Sequence, residues 1–79
     1  MSEIIFYLVE SHFEDEKEWK LKYKEDEIEV LNILMNGANC IRRIWLEMKN
    51  KYPKYEKISY DGIKTIITFL IKEGKVMRR

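Results

Sequence analysis

Residues 59–74 constrain the fold more than any other part of this chain. Ile63, Ile66, Ile67, Leu70 and Ile71 recur at i, i+3, i+4, i+7 and i+8, which draws one apolar stripe down the side of a helix. Ser59 stands where an N-cap is needed, with Asp61 and Gly62 close behind, and Gly74 follows where a helix stop belongs. The other side carries Tyr60, Lys64, Thr65, Thr68 and Lys72. An isoleucine stripe of this kind must be covered by other elements, so the lysine- and threonine-bearing side must face outward.

Two further helices precede it. Glu25, Asp26 and Glu27 put acids in a first turn, where the helix dipole favours them. Ile28, Leu31, Leu34 and Met35 then line one stripe, widened by Val30 and Ile33, and Asn36-Gly37 ends the helix. Asn39 is positioned to cap the next helix, whose stripe is Ile41, Ile44, Trp45 and Met48. Pro53 ends that helix at Tyr52, because the residue before proline is driven out of helical geometry.

The first 24 residues predict a β-hairpin. The run from Glu3 to Glu10 is β-branched and aromatic, and reads as a strand buried on both faces. A polar turn around His12 follows. Trp19, Leu21 and Tyr23 then alternate with Lys20, Lys22 and Lys24, the pattern of a half-buried strand whose lysines guard an edge. Residues 75–79, Lys75-Val76-Met77-Arg78-Arg79, read as a closing strand. The predicted order is therefore β, β, α, α, α, β, in one domain over residues 1–79.

Composition narrows what such a domain can do. Apolar residues make up 46% and charged residues 37% of 79 residues, too apolar for a disordered tail. The longest apolar run, Ile4 to Val9, falls far short of the roughly 20 residues a bilayer demands, and no basic stretch precedes it. We expect a cytoplasmic protein. A single cysteine, Cys40, can close no intramolecular disulfide and reads as a small buried hydrophobe. One histidine and one cysteine cannot form a four-ligand zinc site. No catalytic triad can be built around His12, and three scattered glycines make no phosphate cradle. We expect no enzyme, no cofactor and no small-molecule substrate. The absence of glutamine beside abundant Lys, Glu and Ile resembles a thermophile composition.

Charge is unevenly distributed. Residues 1–39 hold ten acids against four lysines, a net of −6, and residues 40–79 hold eleven Lys and Arg against four acids, a net of +7. Either the basic half meets a polyanion or the acidic half docks upon it.

The sequence from Ser59 to Arg79, with its polar helix start, Ile/Leu stripe, Lys-Glu-Gly and basic strand, resembles the recognition helix and first wing strand of winged-helix repressors. It looks like the penicillinase-repressor and PadR/MarR-like groups, over about residues 25–79. Two departures stand out. The chain stops at Arg79, so we expect no second wing strand and expect the last strand to pair with the N-terminal hairpin. The stretch from Tyr52 to Ser59 is also longer than the turn of the simplest helix-turn-helix.

The resemblance implies a winged-helix-like three-helix core with a C-terminal strand, which together with the N-terminal β-hairpin (residues 1–24) read from the patterning makes an α+β domain. It implies a sequence-specific double-stranded DNA-binding protein, a homodimeric transcriptional regulator with its third helix (residues 59–73) in the major groove. Ser59, Tyr60, Lys64, Thr65 and Thr68 would then stand at or near the base edges. Arg42 and Arg43, with the backbone N–H groups that open their helix, would grip phosphates, as would Lys54, Lys57, Lys75, Arg78 and Arg79. Phe6, Leu8, Trp19, Leu21 and Tyr23 are candidates for the dimer contact. The alternative is a winged-helix protein-interaction module that binds no nucleic acid, with RNA binding as a third option.

Overall fold

The computed structural model describes residues 4–9 and 16–79. The turn predicted around His12 lies outside them. The elements run β1 (Phe6–Leu8), α1 (Glu16–Lys22), α2 (Glu25–Met35), α3 (Ile41–Lys51), a 3-10 turn (Pro53–Tyr55), α4 (Tyr60–Lys72) and β2 (Val76–Arg78). The class is α+β, four helices with one two-stranded antiparallel sheet, compatible with a small winged-helix-like domain. Among the described residues no helix is long and apolar enough to cross a membrane.

The N-terminal hairpin is not formed. The segment expected as its second strand is α1, and the cause lies in three side chains. Trp19 is fully buried and Tyr23 nearly so, while Leu21 is 88% exposed. Trp19 and Tyr23 stand at i and i+4, neighbours on one side of a helix, and the Tyr23 N–H donates to the Trp19 carbonyl at 2.8 Å. Lys20, Lys22 and Lys24 therefore guard no strand edge. Lys22 instead pairs with Glu18 one turn earlier at 2.8 Å. The hydrogen bond and charge of Glu18 raise the Lys22 pKa above its ordinary value.

β1 does form, and it pairs with β2 in the register Phe6↔Arg78, Tyr7↔Met77, Leu8↔Val76. The last strand thus finds its partner at the amino end of the chain. β1 is buried on one face only, contrary to expectation: Phe6 and Leu8 point inward, Tyr7 is half-buried and Ile4 is 49% exposed.

α2 begins at Glu25 and its C-cap is Asn36, with Gly37 at φ 143° beyond it. Val30, Leu31, Ile33 and Leu34 are buried, whereas Met35 is 38% exposed and Ile28 only partly covered, so the stripe is rotated toward the residues that widen it. α3 buries Ile44 and Met48. Its N-cap is Cys40, not Asn39. Asn39 is held one residue away by paired backbone hydrogen bonds with Phe6, at 2.9 and 3.0 Å, which tie the α2–α3 connection to β1.

α4 packs Ile63, Ile66, Ile67 and Leu70 against the other helices, with Ile71 at the margin. Burial of such a side chain contributes about 1.5–3 kcal/mol, so this stripe alone is a large share of the stability of a domain this small. Gly74, at φ 76°, occupies the left-handed position after the helix, where a Cβ would be strained. Its N–H donates to the Ile71 carbonyl and the Lys75 N–H to the Leu70 carbonyl, both at 3.0 Å. This is a Schellman ending. It turns the chain back along α4 and delivers Val76 into the core.

Candidate nucleic-acid interface

Trp45 fixes where α4 starts. Its indole Nε1–H donates to the Ile58 carbonyl at 2.8 Å, just before the N-cap, and its ring meets Tyr60 edge-on at 5.8 Å. The Lys49 ammonium lies 4.5 Å from the same ring. Ser59 then caps α4, its hydroxyl oxygen accepting from the Gly62 N–H at 2.9 Å. The longer connection between α3 and α4 is thus ordered by a 3-10 turn, one indole and one hydroxyl. Trp45 packs against the core as the stripe of its helix requires, and this hydrogen bond is a second role that the stripe does not reveal.

The outward side of α4 is open. Tyr60, Asp61, Lys64, Thr65, Thr68 and Lys72 are all exposed while the isoleucines beneath are covered. Asp61, Thr65, Thr68 and Lys72 stand at i, i+4, i+7 and i+11, the outermost row of the helix. Lys64 flanks that row. Lys72 joins the residues expected at the site, and its spacing from Thr68 is visible in the sequence.

Both threonine hydroxyls are committed as donors inside the helix, Thr65 to the Asp61 carbonyl at 2.9 Å and Thr68 to the Lys64 carbonyl at 2.8 Å. What they offer outward is a methyl group and an accepting oxygen. Such a pair suits a thymine methyl, or the amino hydrogens of adenine or cytosine, better than it suits a bare acceptor such as guanine O6.

Lys64 is the meeting point of the predicted residues. With Arg42 and Tyr60 it lines a depression over Ile4, Phe6 and Ile41. With Thr68 and Arg78 it lines a groove of about 370 Å³ floored by Ile4, Phe6, Ile41, Ile67 and Ile71. With Thr65, Thr68 and Lys72 it borders a third, next to Phe69. Arg42 and Arg43 share a separate depression with Glu47 and Asn50. Lys57 and Arg79 are exposed but join none of these concavities.

Two predicted phosphate ligands are engaged within the fold. Lys75 is only 8% exposed, because the Schellman turn folds it against the end of α4 and its carbonyl accepts from the Val9 N–H at 3.0 Å. Lys54 pairs with Glu25 and lies over the Tyr55 ring.

Among the described residues, Arg42, Arg43, Lys57, Lys64, Lys72, Arg78 and Arg79 have no carboxylate within ion-pair distance. Lys54–Glu25 links the acidic and basic halves of the chain, yet it leaves this side untouched. Arg42 and Arg43 also sit in the first turn of α3, which contains no acid and whose N-cap offers no side-chain hydrogen bond. Cations at that end oppose the helix dipole by about 0.3–1 kcal/mol each.

The acidic surface is organised differently. Glu27 accepts from the Lys24 backbone N–H at 2.8 Å, and Asp26 accepts from the Glu27 N–H at 2.8 Å. A hydrogen bond to the Glu29 carboxylate, with burial, holds the Tyr52 pKa above its ordinary value. Burial, with the charges of Asp26 and Glu29, does the same for Tyr55. Among the described residues no cluster of three or more His, Cys, Asp or Glu could hold a metal ion.

Of the residues expected at a dimer contact, Phe6, Leu8, Trp19 and Tyr23 are spent on the chain's own core. Only Leu21 is free to meet anything else. No protein-family model, characterised protein or solved structure matches this chain.

Proposed function

We propose that this chain is a sequence-specific double-stranded DNA-binding protein, a cytoplasmic transcriptional regulator that acts as a homodimer and enters the major groove with α4. The observation that carries the reading is the open side of α4, Lys64, Thr65, Thr68 and Lys72, beside cations that no described carboxylate neutralises. Arg42 and Arg43 open α3 at the flank of that helix, where a phosphate would meet two guanidiniums and uncapped backbone N–H groups together. Lys64 and Tyr60 would occupy the start of the reading helix, Thr65 and Thr68 would read methyl and amino edges, and Arg78 would follow the adjacent strand. Asp61 accompanies the helix dipole and would accept from a cytosine amine if it reached the bases.

The test is selection of duplexes from a randomised pool, followed by a salt titration of the winner. The expected result is a log–log salt slope of about −0.9 for each phosphate neutralised. Failure to retain any duplex at micromolar protein and about 50 mM salt sinks the reading. Preference for an RNA duplex in competition replaces it with RNA binding.

One observation favours the rival module. The groove floored by Ile4, Phe6, Ile41, Ile67 and Ile71 is apolar and rimmed by Lys64 and Arg78, with Arg42 on the adjoining depression, a chemistry suited to a peptide with acidic and aliphatic side chains. That partner would survive salt better than DNA, because apolar burial remains when charges are screened.

A further inference from the structure

Along the outermost row of α4, the groups offered outward are nearly all of one kind. The Asp61 carboxylate only accepts, and the hydroxyl hydrogens of Thr65 and Thr68 are spent on the Asp61 and Lys64 carbonyls at 2.9 and 2.8 Å. Before Lys72, the row therefore presents accepting oxygens and the methyl groups of the threonines. Both threonines also line a concavity of about 420 Å³ with Phe69, Lys64 and Lys72. Phe69 is 36% exposed, and Tyr23 beyond the end of α1 meets its ring edge-on at 6.1 Å. An apolar strip thus lies in the company of ammonium groups, which suits a methyl group carried on a polyanion.

We infer that this strip selects the C5 methyl group of pyrimidines in the major groove, so that Thr65 and Thr68 choose thymine on neighbouring base pairs. The inference rests on the DNA reading proposed above and names the chemical group which that reading selects.

Exclusion matters here as much as attraction. A G·C pair presents guanine O6 and N7, acceptors that accepting oxygens cannot satisfy, and leaving such groups buried and unpaired is costly. An A·T pair presents the adenine amino group and the thymine methyl, which meet an accepting oxygen and a threonine methyl. Cytosine has the amino group without the methyl. 5-Methylcytosine has both, and is preferred to cytosine at the same position. Spacing sets how many pairs are read. Thr65 and Thr68 stand about 4.5 Å apart along the axis, at about 1.5 Å per residue. Stacked bases are about 3.4 Å apart, so the threonines span a single base-pair step.

The experiment measures anisotropy on the duplex selected from the randomised pool, with each thymine replaced in turn by deoxyuridine, which lacks only the methyl. Thymines on adjacent pairs are expected to lose about fourfold each, the worth of one methyl withdrawn from water. Exchanging either pair for G·C is expected to cost more, and 5-methylcytosine in place of that cytosine to recover about fourfold. Thr65→Ser with Thr68→Ser keeps both hydroxyls, removes both methyls and is expected to erase the deoxyuridine penalty. Thr65→Val with Thr68→Val keeps the methyls and is expected to preserve it. A duplex bound with no deoxyuridine penalty overturns the inference and leaves the DNA reading standing. So does a penalty that survives the serine exchange, since duplex stiffness or another side chain would then be its source. Retention of no duplex at all takes both readings down. The 5-methylcytosine arm uses the wild type alone, and the absence of any recovery there overturns the inference even if the serine variant fails to fold.

Discussion

At the amino end of α2, Glu25, Asp26 and Glu27 sit on the positive pole of the helix, and Glu27 and Asp26 also accept backbone N–H groups. At the amino end of α3, Arg42 and Arg43 sit on the same kind of pole with no acid in the first turn and no side-chain cap. The two helices have equal length and pack against one another. The charges of α2 are explained from within the molecule: each lowers the free energy of the fold. Those of α3 raise it. A feature that violates local stability rules, with no compensating carboxylate among the described residues, points to a requirement outside the folded chain, and a phosphate is the simplest group that would meet it.

The largest effect is expected where the two ends are exchanged. Arg42→Glu with Arg43→Glu should weaken duplex binding by about 100-fold and flatten the log–log salt slope by about 2. Thermal stability should hold or rise, since each acid now gains about 0.3–1 kcal/mol from the dipole. Anisotropy and calorimetry on one sample decide it, and a fall in both affinity and stability would erase the contrast.

The mirror exchange at α2, Asp26→Lys with Glu27→Lys, should cost about 2 kcal/mol through lost capping and an opposed dipole. Duplex affinity should not fall, and denaturant midpoints beside anisotropy test this.

Alkaline pH probes the tyrosines that face the acidic surface. Tyr52 and Tyr55 hold their protons more tightly folded than unfolded. Above about pH 10 the unfolded chain therefore binds fewer protons than the native one, and stability must fall as pH rises. The stabilising contribution is complete below that pH and is lost above it. Melting temperatures from pH 8 to pH 11 should decline, and Tyr52→Phe should shallow the decline.

The smallest effect belongs to Lys54, whose pair with Glu25 is well exposed. Lys54→Ala should change stability by at most about 1 kcal/mol and binding hardly at all, which tests whether the neutralised lysine is idle. A marked loss of affinity would return it to the interface.

Much of this architecture was legible because its punctuation is local. Glu25 to Asn36-Gly37 and Ser59 to Gly74 carry caps, stops and a stripe of period 3.6, and those helices stand where these marks put them. The segment around Trp19 was not legible. Trp19, Leu21 and Tyr23 satisfy a period of two, Trp19 and Tyr23 satisfy an i, i+4 spacing, and only the exposure of Leu21 separates the two. At the site, Lys64, Thr65 and Thr68 were readable as the side opposite the isoleucines. Lys75 was not, because its burial depends on a turn that reverses the chain and not on alternation. Trp45 does pack against the core as its stripe requires, but its hold on α4 was not legible, since the carbonyl it binds lies thirteen residues away.

That indole has a bearing on how α4 adapts to what it touches. Because Trp45 holds the residue just before the N-cap, α3 and the start of α4 are tied by a side-chain hydrogen bond. If α4 reads a groove as proposed, a change of its pitch would carry α3, and with it Arg42 and Arg43, along. Accommodation to an imperfect site would then fall to the nucleic acid, and sequences that bend easily would be favoured over stiff ones with equal contacts.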